Sequence, residues 1–257
     1  MGGFGGVSAQ GYAAFMGRFS TPLAEEFAAI GLDGVPAQAR VIDVGCGPGM
    51  LTLELARRRG AETLAAVDPE PVFVAATADA CPGADVRVAA AEDLPFADGV
   101  FGAALAQLVV HFMTDPVRGV GEMARVTTPG GRVSACVWDH GGGSGPLSDF
   151  WRVAAALDPD VRTESGLNGA SEGQLVDIFE SAGLHDVTQA IVGCTVAFRD
   201  FDDWWRPFLG GVGPAGRYVA TLDDAEVARL EGALRDDLGD GAFAITARAC
   251  AAVGLVG

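Results

Sequence analysis

The stretch Val41-Ile42-Asp43-Val44-Gly45-Cys46-Gly47-Pro48-Gly49 decides the reading of this chain. An apolar strand runs into an acidic residue and then into a turn with glycine at every second position. Glycine lets the backbone turn sharply and approach a ligand closely. A GxGxxG spacing would set a pyrophosphate against a helix N-terminus. The tighter GxGxG here, with Pro48 inside it, instead brings backbone N–H groups toward a small zwitterionic tail. Asp43, just before the turn, can face an ammonium. A nucleotide-dependent oxidoreductase is disfavoured on the same grounds.

Working outward, apolar runs alternate with helical patterns, which argues for βαβ units and a parallel sheet. Strands are expected at 39–44, 63–67, 86–89, 101–106, 132–138, 187–198 and 243–252. Helices are expected at 51–59, 71–80, 116–126, 148–157, 172–182 and 223–238. Pro129-Gly130-Gly131 reads as the stop between the 116–126 helix and the next strand. Met1–Val7 reads as a frayed tail. The expectation is one α/β domain over 1–257, with a doubly wound, seven-stranded, mostly parallel sheet. Residues 1–35 would form a helical cover, and 141–240 would include helical insertions on the substrate side.

Four segments fall at expected carboxyl ends of strands, where ligands of such sheets bind. The glycine turn is the first. Asp68, followed by Pro69, is the second; a carboxylate there can accept both hydroxyls of a ribose. Ala91-Glu92-Asp93-Leu94-Pro95-Phe96 is the third, where an adenine would lie. The fourth is Ala106-Gln107-Leu108-Val109-Val110-His111.

Taken together, residues from about Arg40 to Trp138 resemble the class I S-adenosylmethionine (SAM)-dependent methyltransferases, in particular the ubiquinone/menaquinone C-methyltransferases. The matching pieces are Asp43 to Gly49, Val67-Asp68, Glu92 to Phe96, His111 and Pro129 to Gly131. Tyr12 to Ser20 is similar to an N-terminal helix that covers the cofactor in bacterial members. The resemblance implies a Rossmann-like fold, SAM as cofactor with S-adenosylhomocysteine as product, and methyl transfer to a small-molecule acceptor. A SAM-binding protein that does not methylate is the alternative. The cofactor-binding residues implied are Asp43, Gly45, Cys46, Gly47, Gly49, Asp68, Pro69, Ala91, Glu92, Gln107 and Arg18, the last meeting the cofactor carboxylate. Two positions depart from the family pattern. Ala90 stands where an aspartate near the adenine is common, which leaves Ala91 and Glu92 to serve it. Gly102 stands where the family favours aspartate.

Methyl transfer is an in-line displacement in which the protein mainly positions and desolvates. A base is needed only if the acceptor must lose a proton. His111 is the candidate catalytic residue, and it can equally be a packing residue of its helix. His140, in Trp138-Asp139-His140, also follows a strand, with Asp139 as a loop cap. Trp204, Trp205 and Phe208 are either a wall over the acceptor or ordinary core.

Composition narrows the partners. The 257 residues carry a net charge of −17, and every cation is arginine. A polyanion would be repelled without a basic stripe. The only basic run, Arg57-Arg58-Arg59, closes a helix and complements its dipole. Nucleic acid is therefore not expected. Five cysteines without a CxxC imply a reduced, cytoplasmic protein. The three histidines do not cluster with cysteine, so no metal is expected. No membrane span is expected. The sequence leaves the oligomeric state open.

Overall fold

The computed structural model describes residues 9–257, so the Met1–Val7 tail lies outside the described residues. Seven strands make one sheet in the order β3-β2-β1-β4-β5-β7-β6. They are β1 (Val41–Val44), β2 (Leu64–Asp68), β3 (Asp85–Val88), β4 (Phe101–Gln107), β5 (Thr127–Trp138), β6 (His185–Phe198) and β7 (Phe243–Leu255). Strands β1 to β5 pair in parallel, and β7 is antiparallel to both neighbours. This is the doubly wound, mostly parallel sheet expected from the sequence.

The residues explain the order. Strands β1, β2 and β4 are apolar apart from Asp43, Asp68 and Gln107 and buried almost throughout, as parallel strands covered on both faces must be. Strand β3 is half exposed and carries Asp85 and Arg87, whose ion pair suits a sheet edge. The register shift between β4 and β5 places Phe101 opposite Thr127 but Ala103 opposite Arg132. Pro129-Gly130-Gly131 lies in that shift, with Gly130 at φ +74°. The segment expected to separate helix from strand is thus an irregularity within β5, which starts at Thr127. Strand β7 runs to Leu255, past the expected 252, because β5 and β6 both pair with it to that residue.

Two apolar layers flank the sheet. One packs Phe19, Leu23 and Phe27 of helix α2 (Gly17–Gly31) and Leu51 and Leu55 of helix α3 (Met50–Arg59) with Leu105 and Trp138. The other packs Val120 and Met123 of helix α5 (Pro116–Val126) and Leu175 and Phe179 of helix α7 (Gln174–Ser181) with Val44, Val67 and Val133. Helix α5 begins with Pro116 after Asp115, whose side chain accepts from Arg118 N at 3.0 Å. Helix α4 (Pro71–Ala80) also begins with proline.

The N-terminal cover is two helices rather than the single one expected over Tyr12 to Ser20. Helix α1 (Ala9–Phe15) breaks at Met16, and α2 continues to Gly31. The arginines closing α3 tie this cover down. Arg57 and Arg58 pair with Glu54 at 2.7 and 2.5 Å, which pulls the Glu54 carboxyl down to about 2. Arg58 also donates to Glu25 O, and Arg59 to Val35 O and Pro36 O.

The remaining helices are α6 (Ser148–Leu157), α8 (Phe201–Trp205), α9 (Gly213–Val219) and α10 (Asp224–Leu238). A capping box between Asp223 and Glu226 starts α10. Trp204, Trp205 and Phe208 are buried core. Phe208 stacks on Phe150 at 4.7 Å and meets Phe15 edge-on at 4.8 Å. No helix of the described residues is long and apolar enough to cross a membrane.

Candidate cofactor and acceptor sites

The glycine turn is held from both sides. Gly45 N and Cys46 N donate to Val67 O at 2.8 and 2.9 Å, locking the turn to the end of β2. Gly47 N donates to Asp68 Oδ2 at 2.9 Å, and Thr77 Oγ1 of α4 donates to Gly47 O at 2.7 Å. The glycines are not equivalent. Gly45 has φ +74°, and a Cβ there would lie 2.5 Å from the Val109 side chain. Gly47 has φ +52°, and a Cβ there would meet nothing within 4 Å. Gly49 has φ +97° and caps α3 against Thr77.

A cavity of about 320 Å³ opens over this turn. Asp43, Asp68, Gln107, Tyr12 and Phe73 border it, together with Gly45, Cys46, Gly47 and Pro69. Three carboxylates face it, from Asp43, Asp68 and Glu70, and among the described residues no basic side chain does. Asp43 is almost fully buried and accepts from Thr52 Oγ1 at 2.6 Å through Oδ2, while its Oδ1 has no partner. Burial pushes its carboxyl from 3.8 up to about 7, against the Thr52 hydrogen bond. Gln107 Nε2 donates to Ser20 O at 2.9 Å, leaving Oε1 buried without a partner. Asp68 accepts from Gly47 N and Glu70 N, and burial raises its carboxyl. Tyr12, from α1, packs edge-on against Phe73 of α4 at 5.9 Å on the border of the cavity. Burial pushes its hydroxyl up to about 12.

These features fit SAM. Two buried oxygens without partners need donors, which an ammonium provides. A site with three carboxylates and no cation favours a sulfonium and an ammonium over a pyrophosphate. The open space at Gly47 lets a ligand approach the backbone.

Residues 42–135 match the family model of a methyltransferase domain. This chain carries a class I SAM-dependent methyltransferase domain. Its cofactor is SAM. An uncharacterized protein of Mycobacterium tuberculosis is 29% identical, the match covering 93% of this methyltransferase and 91% of the relative. An uncharacterized methyltransferase of Mycobacterium sp. JLS is 36% identical over 56% of this chain and 61% of its own. Among solved structures, a geranyl diphosphate C-methyltransferase of Streptomyces coelicolor A3(2), in complex with S-adenosyl-L-homocysteine, shares the fold. Its TM-score is 0.52 at 16% identity, covering 91% of this chain and 78% of that one.

Four of the expected cofactor residues do not border the cavity: Gly49, which caps α3, and Arg18, Glu92 and Ala91. Arg18 pairs with Asp203 at 3.3 Å, lies over the Phe198 ring at 4.2 Å and donates to Ala197 O, so it does not border the cavity. Its helix turns it toward the β6–α8 junction. The Glu92 side chain accepts from Thr114 N and Asp115 N, which ties it to the start of α5. Ala91 is buried beside Gly119. Neither borders the cavity.

Two features, Leu108 and Glu164, carry no local signal in the sequence. Leu108 has φ +62°, an unusual conformation for a leucine, fixed by Leu108 N donating to Cys136 O at 2.8 Å. Such strain costs about 1–3 kcal/mol and gathers at functional sites. Leu108 borders the SAM cavity and also a second, smaller one of about 30 Å³. The two cavities share Tyr12, Leu108 and Phe112. The second is also bordered by Phe15 and Met16 near the end of α1, Trp138 at the end of β5, and the polar side chains of His111, His140 and Glu164. His111 is buried, its Nδ1 has no partner, and burial with the neighbouring His140 pushes it down to about 3. Asp139 caps its loop as expected, accepting from Gly142 N and Ser144 Oγ. Glu164 lies far from any motif. It is recognisable only once the fold is known, because nothing local marks a glutamate in Arg162-Thr163-Glu164-Ser165 as buried.

Proposed function

We propose that the methyl acceptor is a small, uncharged, largely apolar molecule that reacts where the two cavities meet. The observation that carries this reading is the second cavity itself. It adjoins the SAM cavity, is walled by Phe15, Met16, Phe112 and Trp138, and among the described residues has no arginine on its border. A volume of about 30 Å³ admits the reacting end of an acceptor or about two waters. Helix α1 must therefore lift for the rest to enter, which matches a cover built from a short helix. Excluding water in this way protects and orients the reacting pair. A net charge of −17 and a carboxylate-lined site speak against RNA or DNA as acceptor.

Within the SAM cavity, we assign Asp43 and Gln107 to the cofactor ammonium. Asp68 takes the ribose hydroxyls through the lone pairs its backbone contacts leave free. Pro69 and Phe73 flank the purine. The backbone from Gly45 to Gly47 lies along the amino-acid tail. Arg18, Ala91 and Glu92 have no place in this assignment. SAM supplies an electrophilic methyl group, and the protein's residues hold it, cover it and keep the chamber dry.

Labelled SAM incubated with sets of small aromatics, RNA and protein tests the acceptor class. Label passing to a small molecule is expected. Label appearing only in RNA or protein overturns the reading, and tight SAM binding with no turnover on any set favours a non-methylating role. Replacing Asp68 by Ala should weaken SAM binding about tenfold or more, the loss of a charged hydrogen-bond acceptor. Unchanged affinity by calorimetry removes the ribose assignment.

A further inference from the structure

The acceptor cavity is bordered by three buried titratable side chains from separate parts of the chain. His111 follows β4, His140 follows β5, and Glu164 begins a short 3₁₀ turn. His140 Nε2 lies 3.9 Å from Glu164 Oε1, and both side chains are more than nine-tenths buried. Glu164 Oε2 accepts from Trp151 Nε1 at 2.7 Å, which fixes the carboxylate against the imidazole. The His111 and His140 rings are 6.2 Å apart. Nδ1 of His111 is buried without a partner. Burying a carboxylate beside an imidazole, with no cation bordering the cavity, costs desolvation energy that apolar packing would avoid. The arrangement makes sense if the imidazole gains a proton during turnover and the carboxylate stabilises it.

We propose that His140 and Glu164 form a general-base pair that takes the proton from the hydroxyl of a phenol-class acceptor, with His111 holding the acceptor oxygen. This rests on the small-acceptor reading above. The acceptor O–H breaks and its proton passes to the His140 imidazole. The oxygen forms a bond to the methyl carbon supplied by SAM, and the electron pair of the broken S–C bond stays on sulfur. The products are a methyl ether and S-adenosylhomocysteine, and His140 then returns its proton to water.

The groups around each histidine decide which is the base. Burial lowers both. Glu164 and Asp139 pull His140 back up, whereas His111 faces only His140. The carboxylate 3.9 Å from Nε2 marks His140 as the imidazole that can hold a transferred proton, and His111 serves as the hydrogen-bond partner. The acidity of the acceptor follows. A neutral imidazole can deprotonate a phenol, whose pKa is about 10, far more readily than an aliphatic alcohol. A carboxylate or phosphate acceptor would meet the Glu164 carboxylate with no arginine on the described border to offset it.

The probe is 4-nitrophenol, titrated into the full chain loaded with S-adenosylhomocysteine, at a pH below the probe's own pKa. Its visible band distinguishes phenolate from phenol. Wild-type protein should bind it with a larger phenolate fraction than the same site does without His140. His140→Gln should bind it as the neutral phenol. Glu164→Gln, which keeps an acceptor for Trp151, should shift the spectrum the same way and guards against a folding defect in the first variant. His111→Gln should lose affinity about tenfold, as for one buried hydrogen bond, and keep the phenolate band. Identical spectra for wild type and His140→Gln overturn the proposal. So does the absence of probe binding by protein that still binds S-adenosylhomocysteine. Methyl transfer to an aniline or a carbon nucleophile that His140→Gln leaves unaffected overturns the base pair and spares the small-acceptor reading. Transfer to RNA or protein alone overturns both.

Discussion

The SAM cavity and the acceptor cavity share Tyr12, Leu108 and Phe112, yet they are built in opposite ways. Most of the SAM cavity comes from 43–73, a strand, a turn, a helix and the next strand end. The backbone does much of the work there, through positive φ at Gly45 and Gly47 and N–H groups aimed at Val67 and Asp68. The acceptor cavity gathers side chains from α1, the ends of β4 and β5, a 3₁₀ turn and the start of α9. Packing holds it. The difference predicts that single changes will separate the two: backbone changes will damage cofactor binding, and packing changes will damage stability or acceptor chemistry.

The largest expected effect lies behind the acceptor wall. Phe208 is fully buried among Phe15, Phe150, Trp204 and Trp205. Phe208→Ala should cost about 3–5 kcal/mol in chemical denaturation, as deletion of a core aromatic does. The folded fraction should bind SAM with unchanged affinity, since Phe208 borders neither cavity. A weakened SAM affinity in that fraction would mean the two regions are coupled.

The glycines come next, and they divide. Gly45→Ala places a methyl 2.5 Å from Val109 in a backbone region that alanine disfavours. Overpacking and strain together should cost about 2–4 kcal/mol of stability. Gly47→Ala meets no protein atom within 4 Å. It should cost only about 1 kcal/mol of stability, while its methyl, pointing into open space, blocks the close approach of SAM. Thermal melts and calorimetric titration of the pair should therefore rank them in opposite orders.

Asp43→Asn should weaken SAM binding by about tenfold to a hundredfold, the worth of a charge-assisted hydrogen bond. The pH dependence sharpens this. The folded carboxyl titrates at about 7, against 3.8 unfolded. The folded state thus holds the proton more tightly, and the stability this gives is full below about 3.8 and lost as pH rises through about 7. Cofactor-free wild-type protein should lose melting temperature across that window relative to Asp43→Asn. Saturating SAM should narrow the gap, because the ammonium compensates the ionised carboxylate. Parallel profiles for the two proteins would remove Asp43 from the ammonium site.

The same contrast explains how much could be read beforehand. The alternation of Val41–Val44, Met50–Arg59 and Leu64–Asp68 is local, and so are the glycine turn and the acid after β2. Each writes its conformation into a few adjacent residues, so the sheet and the core of the SAM cavity are visible in the sequence. Glu164 beside His140 and the strained Leu108 depend on neighbours far along the chain. Glu92 stands away from the cavity for a related reason. A carboxylate after β3 is near the adenine side of such a sheet, but the N–H groups of Thr114 and Asp115 at the start of α5 compete for it and win.

The smallest effect belongs to Arg18. An arginine in the covering helices of a chain poor in cations is a natural partner for a carboxylate, and the sequence alone points it at the cofactor. Its guanidinium instead lies over Phe198, pairs with Asp203 and donates to Ala197 O and Asp203 O, with about a third of the side chain exposed. Asp203 is held well below the usual carboxylate range, by Arg199 first and Arg18 second, so it keeps a cation when Arg18 is removed. A partly exposed pair of this kind contributes at most about 1 kcal/mol. Arg18→Ala should therefore lower stability by about that much and leave SAM affinity unchanged within twofold. A tenfold loss of SAM affinity in this variant would mean that α2 turns in solution to bring Arg18 over the cofactor, and that the cover belongs to the SAM site as well as to the acceptor chamber.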